Sequence, residues 1–170
     1  MTKNINYALS NKDLNDFISQ ADKKGVNIFK CEDIKGNTDI ERIFDNRGHA
    51  IIHHGSNNMG HWLTMLRTPC KKVFFIDSFA ENSDYYNKHI KECMKNNGIK
   101  EYFINNTKLQ DVDSVTCGSY GIILVTMHKL GYTPNETIDF IINGSKEQKG
   151  QGKNKYKNID KFMHELTKKI

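Results

Sequence analysis

The sequence predicts a mixed α+β fold in which a central, mostly antiparallel sheet is flanked by helices. Three consecutive apolar segments, at residues 50–53, 62–66 and 73–76, are separated by turn-forming residues, a pattern typical of an antiparallel meander. Residues 117–130 are apolar on nearly every side, which predicts a helix buried in the middle of a domain. With a length of 170 residues, the chain is predicted to form one domain, residues 1–170.

Two helix starts before the meander are indicated by capping residues. Ser10 with Asp13 three positions later predicts the first helix, and Thr38 with Glu41 predicts a second, brief helix. Gly25 is expected to end the first helix, because glycine readily adopts the left-handed conformation of a helix C-terminus.

After Gly25, residues 26–31 read as a short strand, and residues 102–104 are a further candidate strand beyond the meander. The segment 83–97 is predicted to be one helix, closed by Gly98.

The C-terminal part is predicted to contain two more helices. Thr133 and Glu136 form a capping box with a proline in the first turn, and residues 159–170 carry one apolar stripe. Between them, residues 144–158 contain Lys, Gln, Gly and Asn with little to bury, which predicts a mobile basic loop.

The composition bounds the function classes. The apolar fraction of 37% and charged fraction of 26% are typical of a soluble domain, and no apolar run approaches the roughly 20 residues of a membrane helix. The first residues are polar and lead into no apolar signal core, so we expect a protein that is not secreted. Four widely spread cysteines without a Cys-x-x-Cys pair predict free thiols.

A thiol at the start of the apolar helix is the first candidate catalytic group. At Cys117, the helix dipole and the unpaired backbone N–H groups would favour the thiolate. Gly118 removes a side chain where a substrate backbone must come close. The alternative for a lone cysteine is a small buried core thiol.

A histidine and an aspartate stand at the ends of predicted strands. An imidazole at His61, which opens the strand 62–66, could take the thiol proton and later protonate a leaving amine. Asp77 follows the strand 73–76, and its carboxylate could accept the far imidazole N–H and fix the tautomer. Taken alone, the histidine reads as a surface residue at a turn and the aspartate as a turn or helix cap.

Gln110 and Trp62 complete the set. Gln110 lies about seven residues before Cys117, and its amide with the Cys117 backbone N–H could form an oxyanion hole. Trp62, the only tryptophan, is predicted to be a core anchor and a wall that shields the imidazole. Each residue alone is weak support, but together they predict thiol-dependent acyl transfer.

No metal site is expected. His53, His54, His61 and Cys70 could suggest zinc, but adjacent residues of a strand point to opposite faces, so His53 and His54 cannot easily share an ion.

The motifs resemble those of a known superfamily. Gly60-His61-Trp62, Phe75-Ile76-Asp77-Ser78-Phe79 and Gln110 followed by Cys117-Gly118 are similar to the adenovirus-type (adenain-like) maturation cysteine proteases and to related SUMO-deconjugating and bacterial or viral peptidases. The resemblance implies a papain-like core in permuted order, with the nucleophile late in the chain. It implies these roles: His61 as base, Asp77 as orienting carboxylate, Cys117 as nucleophile and Gln110 as oxyanion donor. From their positions beside these residues, Trp62 and Gly118 are expected to take part in substrate binding.

The resemblance also implies a biological setting. Adenovirus enzymes carry Glu at the third position, whereas Asp77-Ser78 is similar to the SUMO-protease form. A compact protease of a virophage, polinton-like element or large DNA virus is favoured, acting on capsid or core precursors near Gly-Gly or Gly-Ala. We expect a monomer in the virion, host cytoplasm or viral factory, without cofactor or membrane partner.

Activation by DNA or a viral peptide, which assists the adenovirus enzymes, is left open. No peptide-binding cysteine can be matched among Cys31, Cys70 and Cys93. A lysine-rich run could contact DNA phosphates, although such runs are also common as solvated surface. Its members are Lys146, Lys149, Lys153, Lys155 and Lys157.

Two other functions compete with virion maturation. One keeps the chemistry but changes the substrate, as a deconjugating protease or acyltransferase acting on ubiquitin-like or host proteins. The other is a catalytically silent capsid or nucleic-acid-binding protein with a structural thiol, and it predicts that thiol-directed reagents leave Cys117 unmodified.

Overall fold

In the computed structural model, the chain forms one unit from a continuous segment and a second unit from its two ends. The structure describes residues 9–20, 22–55, 60–148, 150 and 152–170. The sheet unit comprises Val26–Thr107, and the helical unit comprises Met1–Gly25 together with Lys108–Ile170. The assignment of residues 1–170 to one cysteine protease domain stays a prediction.

The sheet unit contains a five-stranded sheet whose strands follow the order of the chain. The strands are β1 (Ile28–Lys30), β2 (His49–His54), β3 (His61–Arg67), β4 (Val73–Ile76) and β5 (Tyr102–Ile104). Pairing is antiparallel between β2 and β3 and between β3 and β4, as the meander predicted. Both edge pairings, β1 with β2 and β4 with β5, are parallel, since helical segments connect these strands and reverse the chain twice. The α+β fold class is therefore confirmed, with parallel edges on an antiparallel centre.

The middle strand explains why its sequence is continuously apolar. In β3, five consecutive side chains, from Trp62 to Leu66, are buried, so both faces of the strand are covered. The core of the sheet unit is built largely on these strands and on helical residues beside them: Phe44, Ile52, Leu63, Met65, Phe75, Ile90 and Met94.

The segment 83–97, which was predicted to be one helix, forms two helices in the structure, α3 (Ser83–Tyr86) and α4 (Ile90–Asn96). They follow α1 (Asn11–Ile18) and α2 (Ile40–Phe44) in the chain. The break lies at Asn87, whose backbone is extended. Its side-chain amide donates hydrogen bonds to the carbonyls of Cys31 at 2.7 Å and Ile34 at 2.8 Å, and these bonds hold the residue out of helical conformation.

The brief helix before β2 is α2 (Ile40–Phe44), and its N-cap lies one residue later in the chain than the predicted N-cap, Thr38. Asp39 is the N-cap and accepts the Glu41 N–H, whereas the Thr38 hydroxyl accepts the Lys35 N–H in the preceding turn. The predicted Thr38 capping box is therefore wrong.

The helical unit consists of α1 (Asn11–Ile18), α5 (Cys117–Lys129), α6 (Pro134–Glu147) and α7 (Lys155–Thr167). The apolar helix α5 packs against the other three, as expected for a central helix. The predicted capping boxes at Ser10 and Thr133 are both confirmed, but α1 ends at Ile18, well before Gly25. None of the described helices has the length and apolar character needed to cross a bilayer.

The predicted loop 144–158 is shorter in the structure. Helix α6 continues to Glu147, and α7 begins at Lys155 because the Asn154 side chain accepts the backbone N–H groups of the first turn. Gly144 belongs to the α6–α7 contact, where a Cβ would overlap the Phe162 ring. A glycine that read as loop composition is therefore a packing requirement between two helices.

The side chain of Asn97, the residue after α4, is expected to contribute measurably to the stability of the fold. Its side chain accepts the Ile40 N–H at 3.0 Å and donates to the carbonyls of Thr38 at 2.9 Å and Cys93 at 2.8 Å. We expect Asn97→Ala to lower the free energy of unfolding by about 1–3 kcal/mol, since partly buried groups lose their partners. Urea unfolding measures the change.

Asn96→Ala is the matched control, because it removes the same type of side chain from the neighbouring position. There the amide makes one exposed hydrogen bond, which it donates to the Gly36 carbonyl. Equal losses in the two variants would contradict the assigned role of Asn97.

Candidate active site

Asp77 is held at the end of β4 by a side chain from the neighbouring strand end. Asn105 follows β5, and its amide accepts the Asp77 N–H at 2.8 Å and donates to the Asp77 carbonyl at 2.7 Å. These two bonds fix the backbone from which the carboxylate projects. The Asp77 side chain is fully buried.

Four donors surround the Asp77 carboxylate. One oxygen accepts from His61 Nε2 at 2.6 Å and from the Phe79 N–H at 3.0 Å. The other accepts from the Tyr86 hydroxyl at 2.6 Å and from the Glu81 N–H at 3.0 Å. Burial by itself would raise the pKa of Asp77, but the hydrogen bonds from His61, Tyr86 and Phe79 and the attraction of His61 outweigh it and lower that pKa. Asp77 is therefore a carboxylate at neutral pH.

The imidazole of His61 is fixed by two aromatic rings as well as by Asp77. It stacks on Phe79 at 4.7 Å and on Tyr86 at 5.8 Å between ring centroids, each at an interplanar angle of 27°. Because Nε2 of His61 is hydrogen-bonded to the carboxylate, Nδ1 is the ring nitrogen that could exchange a proton with a nucleophile. Burial, then Asp77, raises the pKa of Tyr86, so its hydroxyl stays protonated and donates.

Trp62 follows His61 in β3 and is buried, as predicted for a core anchor. Its ring lies 4.6 Å from that of His53, the residue opposite it in β2. Stacking on His61 comes instead from Phe79 and Tyr86, since neighbouring strand residues point to opposite faces. A role for Trp62 in substrate binding stays a prediction.

In the helical unit, Cys117 is the first residue of the 13-residue helix α5 and is buried. The first N–H groups of a helix have no partner within it and form the positive end of the helix dipole. Gly118 follows, and a Cβ there would lie 3.0 Å from the Leu9 Cβ. Packing of the N-terminal segment therefore requires a small residue at this position, whatever the substrate needs.

Gln110 is buried, and its Nε2 donates to the Ser114 carbonyl at 2.8 Å. This bond anchors the side-chain amide of Gln110 to the backbone of the loop that leads to Cys117. Gln110 and Cys117 thus stand at the two ends of the loop 110–116. Their roles as oxyanion donor and nucleophile stay predictions.

The other thiols are poor nucleophile candidates. All four cysteines are free, as expected. Burial raises the pKa of Cys31 to about 12 and also raises that of Cys93. Cys70 is exposed, but it follows the far end of β3 from His61, and that seven-residue strand spans about 20 Å.

The lysine-rich run is distributed over two helices and the turn between them. Lys146 lies in α6, Lys153 in the turn, and Lys155 and Lys157 in α7, and all four are exposed. Lys149 lies outside the described residues. Contact with DNA stays a prediction. Within the described part of the chain, no group of His, Cys, Asp and Glu is arranged to hold a metal ion.

Several supporting residues were not predicted from the sequence. Tyr86 and Asn105 support the histidine and aspartate, yet neither stands at a spacing that marks a site. Phe79 belongs to the motif that contains Asp77, but no contact with His61 was predicted for it.

Comparison with known proteins gives a likeness of fold. No family model matches the chain, and no curated protein matches its sequence. Among solved structures, the crystal structure of ASFV pS273R protease is similar, with a TM-score of 0.55 and 12% sequence identity. The similarity covers 96% of this chain and 68% of that one. At this identity the comparison establishes the fold.

Tyr86→Phe tests the hydrogen bond to Asp77 while keeping the ring that stacks on His61. We expect a loss of about 1.5–3 kcal/mol in the free energy of unfolding at pH 7, since the lost bond goes to a buried charge. Tyr85→Phe is the control, because Tyr85 is 71% exposed. Similar losses in both variants would contradict this role.

The difference between wild type and Tyr86→Phe should also depend on pH. The pKa of folded Asp77 is lowered, so its stabilising contribution is fully present above the unfolded value, about 3.9, and is lost as pH falls through the folded pKa. Removing the Tyr86 donor moves the folded pKa upwards. The difference in free energy of unfolding should therefore shrink below about pH 4, as urea unfolding at several pH values would measure.

Proposed function

We propose that the chain is a cysteine protease in which Cys117 is the nucleophile, His61 the base, Asp77 the orienting carboxylate and Gln110 an oxyanion donor. The observation that carries the proposal is the 2.6 Å hydrogen bond between His61 Nε2 and the buried Asp77 carboxylate. This bond orients the imidazole so that Nδ1 serves a nucleophile. The fold shared with ASFV pS273R protease is consistent with it.

The assignment of the nucleophile rests on position and on elimination. Cys117 is the first residue of α5, at the positive end of the helix dipole. Cys31 and Cys93 are held as thiols by burial, and Cys70 follows the end of β3 opposite to His61. His61 and Asp77 belong to the sheet unit, and Cys117 belongs to the helical unit.

The proposed reaction proceeds through a thioester. His61 takes the Cys117 proton, the thiolate attacks the scissile carbonyl carbon, and the carbonyl electron pair moves onto oxygen. The Gln110 amide and the Cys117 backbone N–H stabilise that oxygen. His61 then protonates the leaving amine, and it later deprotonates the water that hydrolyses the thioester and restores the thiol.

The proposed substrates are viral capsid or core precursors cleaved during virion maturation, in the virion or viral factory. The support is the similarity of the His61-Trp62 and Cys117-Gly118 motifs to adenovirus-type proteases, whereas Asp77-Ser78 is similar to the SUMO-protease form. Cleavage near Gly-Gly or Gly-Ala, and activation by DNA, belong to the same proposal.

The first test is covalent labelling with a peptide vinyl sulfone ending in Gly-Gly, read by mass spectrometry. We expect modification of wild type at Cys117 and none at position 117 in Cys117→Ala. His61→Ala should slow labelling roughly 100-fold or more, since the general base is lost. Cys70→Ala is the control for an exposed thiol and should label like wild type. Equal labelling of wild type and His61→Ala would contradict the proposal.

The second test identifies the substrate class. Wild type and Cys117→Ala are incubated with capsid precursor, with and without DNA, and the products are sequenced by mass spectrometry. Cleavage by wild type alone is expected. The same two proteins are also incubated with a ubiquitin-like protein that carries a Gly-Gly fusion. If wild type cuts only this fusion and leaves the capsid precursor intact, the chain is a deconjugating protease. Absence of both labelling and cleavage would favour the catalytically silent protein.

A further inference from the structure

A buried carboxylate in the helical unit contacts the segment that joins Gln110 to Cys117. Asp160 lies in α7 and is only 8% exposed. Among the described residues, the partners of the Asp160 carboxylate are a backbone N–H and two hydroxyl groups, and none of them is a charged side chain. Burial raises the pKa of Asp160 in spite of these donors. Burying an ionisable group without a charged partner costs free energy, so the contacts that Asp160 makes in return are informative.

The hydrogen bonds of Asp160 reach both ends of the loop 110–116. One carboxylate oxygen accepts the Asp111 N–H at 2.9 Å, and Asp111 directly follows Gln110. The other oxygen accepts the Thr116 hydroxyl at 2.8 Å, and Thr116 directly precedes Cys117. The two backbone positions that flank the proposed oxyanion donor and the proposed nucleophile are thus tied to one side chain.

Further bonds join the same carboxylate to the start of α5. The Tyr120 hydroxyl, in the first turn of the helix, lies 2.9 Å from Asp160 Oδ1 and 3.2 Å from the Leu109 carbonyl. Within the loop, the Ser114 and Thr116 hydroxyls are 2.7 Å apart, and the Ser114 carbonyl accepts from Gln110. The Gln110 side chain and Asp160 therefore belong to one hydrogen-bonded network.

Apolar packing does not explain how this loop keeps its shape. Val112 is 69% exposed and Val115 is 50% exposed, so the apolar side chains of the loop contribute little burial. Its conformation depends on polar bonds, and the two that leave its ends for α7 both reach Asp160.

We propose that Asp160 is a positioning residue that sets the distance between the Gln110 amide and the Cys117 backbone N–H, the two donors of the oxyanion site. It acts through Asp111 and Thr116 and touches no reacting atom. The inference rests on the proposed protease function.

The test compares two reactions of the same thiol. Iodoacetamide alkylates Cys117 by forming an S–C bond and releasing iodide, and this step needs no oxyanion site. A peptide aldehyde ending in Gly-Gly accepts the thiolate at its carbonyl carbon, and the electron pair of the carbonyl moves onto oxygen, where the two donors act. Loss of Asp160 should weaken the second reaction far more than the first.

For Asp160→Ala we expect aldehyde affinity to fall about 10- to 100-fold, as a donor misplaced by roughly 1 Å would cause. The alkylation rate at Cys117, followed by mass spectrometry across pH, should change less than about threefold. A role in stability alone would lower both reactions together, in proportion to the fraction unfolded. Asp139→Ala, which removes an exposed carboxylate of α6, is the matched control.

Thr116→Val keeps the test decisive if Asp160→Ala fails to fold, because it preserves shape and removes only one hydroxyl from the network. It should shift the ratio of aldehyde affinity to alkylation rate in the same direction, with Thr126→Val, later in α5, as control. An unchanged ratio in both test variants, with wild type binding the aldehyde, would overturn the inference. Wild type that binds no aldehyde and forms no vinyl sulfone adduct would instead overturn the proposed function.

Discussion

Removing the Asp77 carboxylate from water is the constraint on which the arrangement of His61, Phe79 and Tyr86 around it depends. An ionised carboxyl group can be buried only where donors replace the water it loses. Here two backbone N–H groups, a phenol and an imidazole do so, and each is thereby held in place. The position of His61 therefore follows from the need of the Asp77 carboxylate for hydrogen-bond donors. The Asn105 amide fixes the end of β4, from which that carboxylate projects.

Asp77 and Asp160 are both buried, yet their pKa values move in opposite directions. Asp77 has an imidazole partner, which can carry positive charge, and its pKa is lowered. Among the described residues, Asp160 has backbone and hydroxyl donors, and burial raises its pKa. An imidazole partner can share positive charge with Asp77, whereas Asp160 acts through the positions of its neighbours, since three donors converge on its side chain.

Features carried by local sequence were predictable, and features that depend on distant partners were not. The three central strands and the α5 helix follow from apolar patterning, and the Ser10 and Thr133 caps follow from short-range chemistry. The break at Asn87 depends on carbonyls more than 50 residues away, and Gly144 on a ring in the next helix. His61 and Asp77 could be paired from the motifs that contain them, and the structure joins them by a hydrogen bond. Tyr86, Asn105 and Asp160 could not be named in this way, because their partners meet them only in the folded chain.

The interrupted course of the helical unit has a consequence for synthesis on the ribosome. Helix α1 is made first, but α5, the helix it packs against, is made roughly a hundred residues later, after the whole of Val26–Thr107. The continuous unit can collapse as it emerges, while α1 waits with Leu14 and Ile18 unburied. The surroundings of Cys117 within the helical unit are thus completed only after Val26–Thr107, which contains His61 and Asp77, has been synthesised.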